Sequence, residues 1–292
     1  MKRPIARRDT AQWFVIAMAL ALAATAMVSA QGRRGASPPA PNAGEQAAIP
    51  CTNDWQRPNG CAPAKGTLKP RDLTGVWMRV RGATNMTREA DDLLTPLGRK
   101  LFEANKPSFG PRAVPPVLGN DPLGKCDPLG LTRNLFTEIA ARGLEFVLLP
   151  DRVIEFFEYA HQYRTIWTDG RPLPKDPDPR WMGYSVGRWD GDAFVVDSIA
   201  LDDRVWADMW GHPISSKAQI TERYRRPAFD TLELQMTITD PDLYTKQWVS
   251  DTKVHRLQVE KAMDERLETF CVPSEEENFN KSIRDPAGGV VR

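Results

Sequence analysis

The sequence predicts a mainly β protein: an antiparallel, up-and-down β-barrel carrying one helix and a long Pro/Gly-rich strap. Three observations point to it. Between residues 144 and 257, short β-prone runs succeed one another on brief links, and strands joined in this way pair as a meander. In residues 231–239, Leu232, Leu234, Met236 and Ile238 alternate with Glu233, Gln235, Thr237 and Thr239, the period-two pattern of a strand with one buried and one wet face. Roughly eight or nine such strands would leave two long edges open unless the sheet closed on itself. The 25 Pro and 20 Gly among 292 residues interrupt the chain too often for a helical alternative. A hydrophobic share of 41% supports a sizeable core and excludes disorder throughout.

The elements follow in chain order. Lys2, Arg3, Arg7 and Arg8 precede an apolar run from Trp13 to Val28, and Val28-Ser29-Ala30 places small residues before Gln31. Residues 1–30 therefore read as an export signal. The mature chain, periplasmic or extracellular, would begin at Gln31; the alternative is an uncleaved anchor, since the stretch 13–30 approaches the roughly 20 residues that a bilayer core needs. Residues 31–50 are rich in Gly, Ser, Pro and Ala with almost no large apolar side chain, a flexible leader. Residues 51–72 read as a Cys-clipped loop anchored by Trp55.

The barrel domain is expected over residues 73–272. It opens with a strand at 73–80 and a helix at 95–105, where Thr95 caps, Pro96 takes the first helical position and Asp91 and Asp92 lie near the positive helix end. Residues 106–130, with Pro115-Pro116, Asp121-Pro122 and Asp127-Pro128, cannot pair as a central strand and read as the strap. Further strands are expected at 144–149, 152–159, 163–168, 184–189, 192–199, 218–225, 231–239 and 246–257, with Asp190-Gly191 a strong two-residue hairpin signal. The tail 273–292 is acidic and then Gly-rich, a surface segment.

Lys and Arg total 39 against 38 Asp and Glu, a formal net charge of +1. That balance offers no electrostatic footprint for a nucleic acid or an anionic membrane; membrane contact would come only through residues 1–30. Four cysteines, Cys51, Cys61, Cys126 and Cys271, are an even number in an exported chain and read as disulfides. Cys51 and Cys61 flank a short Pro/Gly/Asn stretch and are expected to close on each other, leaving Cys126 with Cys271. Their spacings lack a CxxC pair and a nearby His, so no zinc site is expected.

The densest set of chemically useful residues lies between Glu158 and Arg171. His161 with Glu158 or Asp169 offers an acid–base pair, and Arg164 and Arg171 offer guanidiniums for an anion. A short turn would bring Glu158, His161 and Arg164 to one rim. The same residue types also suit an Arg–carboxylate pair that merely plugs a barrel mouth. If Ile220 and Tyr224 point inward, Glu222 does too, and must find a partner such as Arg164 or Arg133; in the opposite register Thr221 and Arg223 are inside. Glu158 and His161 also spell ExxH, but that metal motif needs ligands from four helices. His212 lies in Trp210-Gly211-His212-Pro213 and His255 in a polar late strand, with no local pair to support a three-His metal site. Trp77, Trp167 and Trp189 fall in strands. Trp181, Trp206 and Trp210 fall in or beside loops, where they suit a sugar ring or apolar ligand or plug the barrel ends. No GxSxG elbow and no phosphate-cradling Gly loop is present, and no metal or cofactor is expected.

Asp72-Leu-Thr-Gly75-Val-Trp77 resembles the GxW opening of lipocalins and other calycin barrels. The resemblance implies a bend at Gly75, a floor made by Trp77 and a late-strand Arg packed over it, for which Arg256 is the candidate. A second resemblance spans most of residues 73–290. Cys126-Asp-Pro-Leu-Gly130, Ile166-Trp-Thr-Asp-Gly-Arg171, Gly183-Tyr-Ser-Val-Gly-Arg-Trp-Asp-Gly191, Phe194-Val-Val-Asp197 and Thr221-Glu-Arg223 are similar to phrases in a large group of exported, uncharacterised soil-bacterial proteins, which implies export and no particular reaction. Where that group often shows a second His after its Gly-x-Pro stretch, this chain has Ile214.

The leading expectation is an exported protein that binds a small anionic or hydroxylated molecule in a polar, aromatic-lined barrel mouth. The contacts would come from Arg164, Arg171, Glu222, Trp167, Trp181, Trp210, His212, Arg133 and His161. The alternatives are a lyase, isomerase or hydrolase acting on a sugar-like substrate through His161 with Glu158 or Asp169, and an envelope scaffold. The residues leave open whether a reaction is catalysed.

Overall fold

The computed structural model describes residues 65–81, 85–86, 88–136, 143–259 and 269–290. The expected export segment, the leader, Trp55 and the Cys51–Cys61 pair lie outside them. Ten strands are formed: β1 Gly75–Arg81, β2 Gly143–Leu148, β3 Arg152–Phe157, β4 Tyr163–Trp167, β5 Tyr184–Asp190, β6 Ala193–Ile199, β7 Gln219–Ala228, β8 Thr231–Thr239, β9 Trp248–Val249 and β10 Lys253–Leu257. Each of β1 to β8 pairs with the next in sequence, and β10 pairs with both β1 and β8, so nine strands close into a barrel. The predicted strand 246–257 is split in two. Both parts lie on the long β8, β10 opposite residues 231–234 and β9 opposite Thr237 and Ile238. Ser250 makes the break, its hydroxyl accepting the Met236 N–H at 2.9 Å in place of a ladder bond.

Two features depart from a pure up-and-down barrel with one helix. First, β4 and β5 run parallel, with Ile166 opposite Ser185 and Trp167 opposite Val186. The intervening segment 168–183 carries Pro172, Pro174, Pro177 and Pro179 and is long enough for the return crossing that parallel neighbours require. Second, helix α1 at Pro96–Ala104, capped by Thr95, whose hydroxyl accepts the Gly98 N–H at 3.0 Å, is joined by others. Helix α2 spans Gly130–Phe136, and every residue in it is buried. The C-terminal segment, expected as a plain surface tail, forms helix α3 at Pro273–Phe279 and continues through a π-helical stretch, Asn280–Arg284, to Asp285–Ala287.

The β5–β6 hairpin turns one residue later than its dipeptide signal suggests. Asp190 pairs with Ala193, and Gly191 takes the first central position with a φ of 59°, a left-handed value that Gly adopts without strain. The strap is tied down by the expected Cys126–Cys271 disulfide. No helix among the described residues is long and apolar enough to cross a membrane.

One hydrophobic cluster lines the inside of the ring, with Trp77, Phe146, Phe157, Phe194, Tyr224, Leu234, Met236 and Trp248 buried in it. Trp77 donates its ring N–H to the Leu73 carbonyl at 2.8 Å. The arginine over Trp77 is Arg226, at 5.0 Å from the ring, and it donates to the Asp72 and Phe229 carbonyls. It is not Arg256, which pairs with Asp230 at 2.9 Å. The reason is register: Leu257 lies opposite Trp77 and packs against the core, so period two turns Arg256 outward.

Candidate functional site

Strand alternation builds a polar layer inside the barrel. On β3 the buried set is Val153, Glu155 and Phe157, on β4 Arg164 and Ile166, and on β7 Ile220, Glu222, Tyr224 and Arg226. Glu222 thus points inward and meets Arg164, as the first of the two registers requires. The Arg164 guanidinium bonds Glu222 through both terminal nitrogens, the Nη1 contact at 2.7 Å, and it bonds Glu155 through Nε at 2.6 Å and Nη2 at 2.5 Å. Ser185 and Ser198 lie 3.4 and 3.3 Å from Nη1. Tyr224 donates its one hydroxyl hydrogen to Glu222 at 2.7 Å, and its oxygen lies 3.1 Å from Glu155. Burial pushes Glu155 up to about 7 despite the pull of Arg164, with Glu222 adding to the rise. Burial works against charge on Arg164, but Glu155 and Glu222 outweigh it and hold the guanidinium charged. Every nitrogen of Arg164 is already engaged, so it has no donor left for a ligand anion.

A second polar group lies on β10 and β1. Lys253 and His255 share the inner face of β10, opposite Leu234 and Leu232 of β8, and Arg79 lies opposite His255 on β1. Lys253 is fully buried. Its ammonium donates to the Asn85 carbonyl at 2.6 Å and to Asp251, and lies 5.1 Å from the Phe136 ring centre. His255 is fully buried too, and its ring makes no hydrogen bond of good geometry, only a weaker approach to the Leu232 backbone; the Asn85 side-chain nitrogen has no partner. Burial, with Arg79 and Lys253 adding to it and only the Leu232 backbone opposing, drives His255 down to about 3. The imidazole is therefore neutral at ordinary pH.

The third group is an imidazole between two carboxylates. His212 Nδ1 faces both oxygens of Asp208 at 2.8 and 2.9 Å, and Nε2 faces Asp91 at 3.0 Å. Asp208 is fully buried and also accepts the Trp210 backbone N–H, whereas the Asp91 side chain is half exposed. The ring stacks on Phe102 at 4.6 Å and meets Trp248 edge-on at 4.8 Å. Burial disfavours the charged ring, but the two carboxylates outweigh it and raise the pKa of His212.

The other sequence-selected residues do not converge. Glu158 is buried and accepts the Gly143 N–H at 2.7 Å. Gly143 pairs with Met78, next to the inward Trp77, so alternation puts this contact on the outer wall. His161 sits in the β3–β4 turn with a φ of 49°, stacked on Phe270 at 4.6 Å. Asp169 lies beyond the opposite end of β4, in an exposed pair with Arg171. The rim of Glu158, His161 and Arg164 is thus not formed, because period two sends Arg164 inward and Glu158 outward. Trp167 faces outward, with Arg171 at 3.5 Å and Arg152 at 4.3 Å from its ring centre. Trp181 packs on the core beneath Arg204. The Trp210 ring lies against Gly110, where it leaves no room for a Cβ, and Trp206 is buried. Arg133 does not reach Glu222; it forms a two-pronged pair with Asp121 at 2.8 and 3.1 Å. Among the described residues no group of three or more His, Cys, Asp or Glu is arranged to hold a metal ion.

Sequence reasoning missed Glu155, Lys253 and Asn85. The alternation of Val153, Glu155 and Phe157 carried a usable signal for the first, and that of Lys253, His255 and Leu257 for the second. Nothing local marks Asn85. No family model, curated protein or solved structure matches the chain. The arrangement is a barrel with an aromatic cluster and buried charged groups, in which one polar layer is saturated and the other keeps unused hydrogen-bonding atoms.

Proposed function

We propose that the protein is an exported small-molecule-binding barrel whose ligand reaches the layer around Lys253 and His255, not the Arg164 layer. One observation carries this reading: Asn85 Nδ2 is buried without a hydrogen-bond partner, and the buried His255 ring has none of good geometry, with only the Leu232 backbone beside it. Folded proteins rarely leave buried polar groups unpaired, since each costs about 1–3 kcal/mol. A bound polar molecule supplies the missing partners. The test is mass spectrometry of the protein under native and denaturing conditions. A discrete added mass, released on unfolding and reduced by His255→Phe, is expected; a bare chain from every source would remove the reading.

A catalytic reading is favoured by a different observation, the Asp208–His212–Asp91 array. A buried carboxylate that orients the His212 ring through Nδ1 and a half-exposed carboxylate at Nε2 can hold and pass a proton, as acid–base catalysis of a lyase, isomerase or hydrolase requires. NMR spectra of the released compound, incubated with fresh protein, would change with time under this reading and stay fixed with His212→Gln. A compound unaltered by the wild-type protein would rule it out.

A further inference from the structure

We propose that Asp91 is a proton-controlled gate over His212: the doubly protonated ring holds the Asp91 carboxylate across its Nε2 edge, and loss of one proton frees that carboxylate to swing away and opens the ring to solvent and ligands. Neither reading above is needed for this, since the gate works whether or not chemistry follows at the ring.

Hydrogen bonding locates the proton. Both ring nitrogens of His212 face carboxylate oxygens, Nδ1 at 2.8 and 2.9 Å from Asp208 and Nε2 at 3.0 Å from Asp91. An ionised carboxylate only accepts, and a neutral imidazole carries a single N–H. A neutral ring between these two groups would turn a lone pair toward one of them. The imidazolium has two N–H donors and satisfies both contacts, and the carboxylates compensate its charge in a buried place. Burial opposes that charge, but Asp208 and then Asp91 outweigh it and raise the pKa of the ring.

The two carboxylates are not equivalent. Asp208 is fully buried, and its Oδ1 also accepts the backbone N–H groups of Trp210 at 3.0 Å and His212 at 3.3 Å, so it stays beside Nδ1. Asp91 lies in the 3-10 helix Arg88–Leu93; its side chain is 50% exposed, against 1% for His212. The Asp91 carboxylate therefore stands between Nε2 and water. Its backbone is held independently of the ring. The Leu93 carbonyl accepts the Thr245 N–H at 2.7 Å and the Thr245 hydroxyl at 3.0 Å, Arg99 donates to the Asp91 carbonyl, and Ala90 and Leu93 are buried in the core. Release is thus a motion of the side chain and not of the segment.

The other walls of the ring are aromatic: α1 presents Phe102, stacked on it, and β9 presents Trp248, edge-on. Behind the carboxylates, Lys253 and the Tyr244 hydroxyl lie within electrostatic reach of Asp208. Arg112 feels Asp91, and after it Glu103 and Arg99. Arg112 rests 3.8 Å from the Phe102 ring centre, and its Nη1 is buried without a partner; a freed Asp91 carboxylate has that cation to turn to.

The order of events follows. Nδ1–H serves a buried carboxylate, which is costly to leave without its donor, so Nε2 gives up the proton. The neutral ring is then the Nδ1–H tautomer, and at Nε2 one acceptor faces another. Because the pKa is raised, the gate is shut below the ordinary histidine value of about 6.5 and opens as pH rises through the higher value of the folded protein.

The experiment is nitrogen NMR of the full-length protein, labelled with 15N in its histidines and titrated from pH 5 to 10. Labelling with diethyl pyrocarbonate, which acylates an accessible neutral imidazole nitrogen, is mapped by peptide mass spectrometry at the same pH values. The His212 signals are assigned by their loss in His212→Gln. At pH 6 both His212 nitrogens are expected to carry a proton, the midpoint to lie above the ordinary value, and the neutral form to be the Nδ1–H tautomer. Labelling of His212 is expected to begin only as the ring titrates. Asp91→Asn keeps an acceptor oxygen at Nε2 without its charge; it should lower the midpoint by about one pH unit, a tenfold loss of proton affinity, and move the onset of labelling down with it. The wild-type titration decides the matter even where a variant fails to fold. A ring that is neutral at pH 6, with the shared proton on Asp91, would overturn the gate. So would a neutral form protonated at Nε2, labelling that is complete at pH 6 or absent at every pH, or a midpoint unmoved in Asp91→Asn. A compound turned over by a protein whose ring is neutral at pH 6 would end the gate and keep the catalytic reading.

Discussion

At Arg164 a single guanidinium holds two buried carboxylates, so the cluster carries one negative charge too many once both are ionised. The consequence is a direction for pH. Glu155 is raised from 4.5 to about 7 by burial and by Glu222. A carboxyl group whose folded pKa is raised contributes stability that is complete below pH 4.5 and is lost as pH rises through 7, an effect of at most about 3 kcal/mol. Glu155→Gln, neutral and still able to meet Arg164 and Tyr224, is expected to flatten the urea-unfolding free energy over that range. A slope matching the wild type would show that the proton resides elsewhere. Arg164→Met, by contrast, leaves two buried carboxylates without their cation and is expected to destabilise the fold by about 3–5 kcal/mol at pH 7, read from the same titrations. The Arg164–Glu222 contact was legible as one of two registers, the one in which Ile220 and Tyr224, two positions either side of Glu222, face inward; choosing it, and choosing Arg164 over Arg133, took the strand pairing. The Glu158–His161–Arg164 rim was misread because chain proximity was taken for spatial proximity, although Arg164 lies opposite the inward Glu155 and Glu158, one residue past the inward Phe157, faces the other way.

Elements were legible where local chemistry decides and obscure where burial overrides it. Helix α1 announces itself through Thr95 and Pro96, since a capping hydroxyl and a fixed φ act whatever the surroundings. Thr95 also donates its hydroxyl to the Asp242 carbonyl at 2.7 Å, joining the helix start to the segment after β8. Thr95→Val is therefore expected to cost about 1–2 kcal/mol, measured as a shift of the denaturant midpoint without change of slope. A shift indistinguishable from zero would mean that water replaces the cap. Helix α2 gives no such notice. It is buried on every side, so it lacks the polar face on which periodicity depends. Its Arg133 and Asn134 are satisfied by Asp121, Gly130 and Gln162, not by solvent. The parallel β4–β5 step was hidden for a related reason: a Pro-rich connection reads as a loop whichever way the next strand runs. Gly130, with a φ of 76° and Val205 2.9 Å from where a Cβ would sit, starts α2 where a side chain is excluded twice over.

For the whole molecule, the decisive link is the one between the strap and the C-terminal segment. The strands already close through the β10 pairings with β1 and β8, so the barrel does not need a covalent tie to remain a ring. Cys126 and Cys271 are separated by 145 residues, and the chain between them includes β2 to β10. Cross-linking across so long a loop restricts the unfolded chain far more than the folded one, an effect of about 5 kcal/mol in the chain-entropy account. For a domain of this size that corresponds to a fall of roughly 10–20 °C in Tm on removing the bridge. Scanning calorimetry of the wild type with and without reductant, and of Cys126→Ser, measures it. The account requires the reduced wild type and the variant to melt together and below the oxidised protein. It also requires the reduced protein to keep its β signal in far-UV circular dichroism below the new midpoint, because the ring is closed by hydrogen bonds. Coincident melting of oxidised and reduced protein would show that the strap is held by packing alone. Loss of β structure on reduction at low temperature would show instead that ring closure depends on the bridge. A bond of this weight forms and persists in an oxidising compartment, which ties the stability of the barrel to the export that residues 1–30 lead one to expect.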